Sequence, residues 1–124
     1  MKKLALTTAI LFAFAAPGMA GAEQIQATLT GYEEVPALST PASGQFRAMI
    51  TNHDQFIDYE LTYSGLETTV LAAHIHLGQS GVSGGVSAFL CGGGGKDPCP
   101  QGSGTVTGTI VAADVIGPTG QGIA

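Results

Sequence analysis

The chain has 124 residues, 19 of them glycine, no tryptophan, and a formal net charge of −5. That length holds one domain with a single modest core. Four basic residues against nine acidic ones leave little from which to build a phosphate-binding surface, so neither nucleic acid nor an anionic membrane surface is an expected partner.

The chain opens with "MKKLALTTAILFAFAAPGMAGA". Lys2 and Lys3 make a basic start, and Leu4 to Ala16 form an apolar run broken only by Thr7 and Thr8. The run is too short for a mature membrane span, and small residues follow it. Ala20-Gly21-Ala22 fits the A-x-A pattern, which predicts a secretory signal over residues 1–22, cleaved before Glu23. Cleavage after Ala20 is the second choice. No cysteine lies near the cut, so a lipid anchor is not indicated. The expected mature domain, residues 23–124, keeps Arg47 and Lys96 against nine acidic residues, a net charge of −7. It is expected to be soluble and either secreted or periplasmic.

Beyond the signal, short alternation of apolar and polar residues recurs between Gly, Pro, Ser and Asn, and no helical period appears. Gln24 to Thr30 is the first expected strand, with Ile25, Ala27 and Leu29 on one face. "GYEEVPALSTPASG" then reads as an irregular crossing, in which Tyr32 and Val35 are expected to pack while Glu33 and Glu34 stay wet. Gln45 to Asn52 is the second strand, and His53 to Gln55 turn the chain into "FIDYELTYSG". That third strand has the clearest pattern. Ile57, Tyr59, Leu61 and Tyr63 face one way, and Asp58, Glu60 and Thr62 the other, as in a half-buried antiparallel strand that forms a hairpin with the second. "LAAHIHLG" is the fourth strand, Val86 to Cys91 the fifth, and Gly104 to Ala112 the sixth. The segment "ADVIGPTGQGIA" shows no seventh strand. Six strands leave a sheet edge open, which predicts association along that edge or a domain that continues beyond Ala124.

Cys91 and Cys99 bracket "GGGGKDP". In an exported chain such a pair is most simply a disulfide closing a short loop. The spacing is not C-x-x-C, so a redox or metal-binding thiol pair is the lesser reading. Lys96, inside that loop, reads as a solvated charge.

His74 and His76 alternate with Ala73, Ile75 and Leu77, so a strand puts both imidazoles on one face with Ala72. One reading is a metal site, since H-x-H on a strand places two rings within reach of one copper or zinc ion. Further ligands would come from His53 or from Asp54, Asp58, Glu60, Glu33 and Glu34. The other reading is structural: the two rings hydrogen-bond loop groups and order "GQSGVSGG" (Gly78 to Gly85). Other chemistry has less support. The serines sit in no strained strand-to-helix turn. Adjacent Glu33 and Glu34 would point apart on a strand. The glycines Gly92 to Gly95 lack the Lys-Ser/Thr ending of a phosphate loop.

Three stretches, "ATLTGYEEVPALSTPASGQF", "IDYELTYSGLETTVLAAHIHLG" and "VSAFLC…PCPQGSGTVTGTIVAADV", resemble the CHRD domain, known from chordin and from exported bacterial proteins. The resemblance spans essentially the whole mature chain. It implies an all-β, sandwich-like, secreted or periplasmic domain with a binding or scaffold role and no settled biochemical activity. Members typically continue past the "GPTGQGI" region with a short helix and a last strand carrying another histidine. The chain is therefore expected to be short at its C-terminus. The "HIH" strand is also similar, as a tripeptide only, to the copper strand of Cu/Zn superoxide dismutase.

The expectation from the sequence is thus a small antiparallel Greek-key-like β-sandwich, incomplete at its C-terminus. It acts as a non-catalytic module for a protein or matrix partner, without a membrane anchor. The alternative is a periplasmic copper- or zinc-binding protein using His74 and His76, with His53 as a third ligand.

Overall fold

The computed structural model describes residues 22–121 except 52 and 54. The expected signal segment, apart from Ala22, and Asp54 lie outside the described residues. Six strands follow in order: β1 Glu23–Thr30, β2 Ser43–Thr51, β3 Phe56–Ser64, β4 Ala73–Leu77, β5 Gly85–Cys91 and β6 Gly104–Val111. Three single 3-10 turns, at Gly31–Glu33, Ala112–Asp114 and Thr119–Gln121, are the helical elements among the described residues. All six strands stand where alternation placed them, to within two residues at each end.

β3 organises the molecule because its alternation is the most complete. Its apolar face meets apolar or small residues on both sides. Leu61 stands between Phe46 of β2 and Val106 of β6, Tyr59 between Ala48 and Gly108, and Ile57 between Ile50 and Ile110. Residues opposite one another in a ladder share a face, so these rows form one apolar layer. Gly65 then ends the strand with a φ of 74°, a left-handed conformation that glycine adopts without steric cost.

The first sheet runs β1-β2-β3-β6 and the second is the β4-β5 pair; every pairing is antiparallel. The chain crosses from β3 to the second sheet and returns at β6 beside β3, giving a small β-sandwich. Ala88 and Leu90 from β5 close over Tyr59, Leu61 and Ile110, with Ala73 and Ile75 of β4 packed at the margin. Burying Leu61, which is 4% exposed, stabilises the fold by about 1.5–3 kcal/mol.

Two strands cannot cover four. β5 packs beside β6, so the layer is closed on that side and open at β1. The register places Ile25 in line with Ala48 and Tyr59, and Leu29 in line with Gly44 and Tyr63. Yet Ile25 is 38% and Leu29 41% exposed. The first strand has the expected face, and nothing among the described residues covers it.

Two expectations for the loops are corrected. Tyr32 is 83% exposed and Val35 45%, so neither packs against the sheet. Gly31 is itself buried: its carbonyl accepts from Leu38 N–H at 2.7 Å, and a Cβ there would meet the Leu38 carbonyl. Lys96 is not a solvated charge either. Its Nζ donates to the Thr109 carbonyl at 2.8 Å and to Asp114 Oδ2 at 3.1 Å, tying the disulfide loop to β6.

Candidate functional site

Two features stand out for function: the histidine pair on the outer face of β4, and a cleft where the sandwich stays open. In β4, Ala73 and Ile75 turn toward the core, which leaves His74 and His76 on the outward face. The partner strand is irregular. Pairing steps from Ala73↔Cys91 to His74↔Phe89, and from Ile75↔Ala88 to His76↔Val86, so β5 carries an unmatched residue, Leu90 and then Ser87, at each step. Such bulges re-aim side chains and sharpen the local twist.

The two imidazole rings meet edge to face with centroids 4.6 Å apart. His74 also meets the Phe89 ring edge to face at 5.5 Å, and Phe89 lies against Gly93 and Gly94, where a Cβ would collide with it. His76 Nδ1 stands 2.8 Å from the Gly84 carbonyl oxygen. A carbonyl only accepts, so Nδ1 is the donor, and in the neutral tautomer Nε2 is the nitrogen left with a lone pair. Gly84 suits the place, because a Cβ would run into the Leu77 carbonyl. Burial, with His76 alongside, holds His74 below the ordinary histidine range, so its ring is neutral at pH 7.

Of the other residues considered as ligands, Asp58 and Glu60 alternate away from the core on β3, on the opposite side of the sandwich from β4. Asp58 Oδ1 instead accepts from Thr109 Oγ1. Glu33 and Glu34 lie exposed at the turn after β1. His53 occupies the β2–β3 turn, exposed, with a φ of 55°. Among the described residues, no group of three or more His, Cys, Asp or Glu side chains comes together. The structure joins His74 to His76, and among the described residues adds no third ligand to them.

The second feature is a cleft of about 420 Å³ between the two sheets. Leu29, Leu61 and Tyr63 form its floor, Leu66, Val70 and Ala73 one wall, and Leu38 the other. Glu34 and Glu67 stand at its rim, both exposed. The wall is held by Gln101, whose side-chain amide replaces a neighbouring strand: it accepts from Val70 N–H and donates to the Val70 carbonyl, both at 2.9 Å.

The model of the CHRD domain family matches residues 25–117. The chain belongs to the CHRD domain family. No curated protein and no solved structure matches it. Membership in a family of extracellular domains is consistent with an extracellular binding or structural module. The disulfide fits secretion: Cys91 and Cys99 are bonded, with Cα atoms 5.1 Å apart, and Cys91 is buried in the CHRD core at 1% exposure. No helix among the described residues is long and apolar enough to cross a membrane.

Sequence reasoning found both rings of the histidine pair and, in its structural reading, the Gly78–Gly85 loop that His76 meets at Gly84. It did not single out Phe89, because bulges in β5 set its place against β4 and alternation does not reveal a bulge. The cleft was equally hidden. Its wall comes from "LETTV", which has no period, and its existence depends on how far the second sheet of this CHRD domain reaches over the first.

Proposed function

We propose that this CHRD domain is a non-catalytic binding module of the extracytoplasmic space, and that its open half takes up an extended, apolar segment of a protein partner. One observation carries the reading: the apolar cleft is continuous with the uncovered row Ile25, Ala27, Leu29 and is bordered by β4, which among the described residues pairs with β5 alone. An added strand gains main-chain hydrogen bonds from a free edge, and its alternate side chains gain the cleft. Charge narrows the partner. Glu34 and Glu67 at the rim favour basic residues flanking the apolar stretch. A non-catalytic role accords with the separation of His74 and His76 from Asp58 and Glu60, which lie on opposite faces and form no acid–base pair.

The absence of tryptophan from the chain gives a clean test. A Lys-flanked peptide of alternating Val and Thr with one central Trp is titrated against residues 23–124, and its emission is followed. Saturable binding with a blue shift is expected, weakened about tenfold or more by Leu29→Glu, which places a charge in the cleft floor. Equal binding by a peptide of the same composition without alternation, or by Leu29→Glu, would refute the reading.

A further inference from the structure

The outward face of β4 supports a second site, independent of the cleft. We infer that His74 and His76 together bind a divalent transition-metal ion, Cu(II) in preference to Zn(II), with solvent completing the coordination.

Three observations converge on this. The rings lie 4.6 Å apart on the outer face of the second sheet, close enough for one ion to bridge two ring nitrogens about 2 Å from each. The Gly84 carbonyl fixes the His76 tautomer through Nδ1, leaving Nε2 as the donor. A backbone carbonyl on the second ring nitrogen is the usual support of a metal-bound imidazole, since it sets ring orientation and raises ligand basicity. The segment that carries the site is also uncharged. From Val70 to Gly95 the chain contains no Asp, Glu, Lys or Arg, so no local cation competes for the position.

The alternative, that these rings only order the Gly78–Gly85 loop, accounts for His76 and its bond to Gly84. It does not extend to His74, whose ring hydrogen-bonds the backbone of its own residue and meets the His76 and Phe89 rings edge to face, with no bond to that loop. The preference for copper follows from chemistry. Two imidazoles and water suit a tetragonal Cu(II) ion, which also binds nitrogen sites more tightly than Zn(II) does. Zn(II) favours four protein ligands in structural sites, and two are present here.

The test is titration of residues 23–124 with Cu(II) and separately with Zn(II), followed by calorimetry and, for copper, by EPR. One equivalent of Cu(II) is expected to bind with nitrogen hyperfine structure from two imidazoles, and Zn(II) more weakly. His74→Asn and His76→Asn each weaken Cu(II) binding by about tenfold or more, while His53→Asn leaves it unchanged. Because His76→Asn also removes the loop contact, the unaltered protein supplies a control: sub-stoichiometric Cu(II) broadens the ring NMR signals of His74 and His76 before that of His53. Equal Cu(II) affinity in the His74→Asn/His76→Asn double variant, or broadening of His53 first, would overturn the inference. Peptide binding in the cleft is unaffected by either result.

Discussion

The Tyr59 hydroxyl donates to the Leu90 carbonyl at 2.7 Å, a bond that passes from β3 of the first sheet to β5 of the second. Both residues are about 5% exposed. Leu90 is one of the two residues that the β4 pairing skips, so its carbonyl is free to meet a donor from the facing sheet. The phenol pays for its burial with that bond, and desolvation raises its pKa above the usual tyrosine value. Beneath the ring lies Gly108, where a Cβ would come within 2.5 Å of the hydroxyl.

Tyr59→Phe is therefore expected to destabilise the domain by about 1–3 kcal/mol, the cost of a buried carbonyl left without its donor. Gly108→Ala is expected to cost a similar amount by displacing the hydroxyl. The two are coupled: in a Tyr59→Phe background Gly108→Ala costs less than in the native chain. Urea unfolding of the four species measures the cycle, and simple additivity would count against this account of Gly108.

Ser87, the other skipped residue, offers the opposite case. Its hydroxyl is buried and has no hydrogen-bond partner among the described residues. Removing an unpaired polar atom relieves its desolvation, so Ser87→Ala is expected to leave thermal stability unchanged or raise it. A fall of several degrees in Tm would show that the hydroxyl has a partner, such as a buried water.

Reduction of Cys91–Cys99 opens a loop with a sequence separation of 8. For so short a loop the lost constraint on the unfolded chain amounts to about 2–3 kcal/mol. The Cys91→Ser/Cys99→Ser variant should show this as a lower urea midpoint. Non-reduced peptide mapping of the oxidised protein should recover the cross-link itself.

His74 makes stability depend on pH in a predictable direction. Burial lowers the folded-state pKa of His74 below its ordinary 6.5. As the pH falls through 6.5 the unfolded chain takes up its proton first, so stability declines until the folded ring is protonated as well. Above that range the group contributes no slope. His74→Gln should remove this part of the pH dependence in chemical denaturation between about pH 7 and pH 5.

Asp114 behaves in the mirror sense. The Val111 N–H, at 2.9 Å, and then the Lys96 ammonium hold its carboxyl below the usual aspartate range. Its contribution is present at neutral pH and is lost as the pH falls through the depressed folded value. Asp114→Ala should cost about 1 kcal/mol at pH 7 and progressively less in acid. An equal cost at pH 7 and pH 2 would place its role elsewhere.

What could be read in advance was whatever period 2 records. Tyr59, Leu61 and Tyr63 announced both their strand and their burial, and His74 with His76 announced a shared face. The first strand shows the limit. Ile25 and Leu29 have the pattern of a covered face, but cover depends on the width of the second sheet, which no local pattern encodes. Tyr32 and Val35 were misjudged because apolar character in an irregular crossing does not fix its direction. Lys96 was misjudged because its acceptors, the Thr109 carbonyl and Asp114, are distant in sequence and meet it only when β6 folds beneath the disulfide loop.

The position of Lys96 also bears on how the domain meets proteases. After Glu23 a trypsin-like enzyme has two basic residues to recognise, Arg47 and Lys96. Arg47 lies on β2, paired on both sides. Lys96 sits inside the ring closed by Cys91 and Cys99, its ammonium held by Thr109 and Asp114. A cut after Lys96 opens that ring without releasing either piece, so in an oxidising exterior the nicked domain stays one covalent molecule and separates into fragments only when a thiol is added.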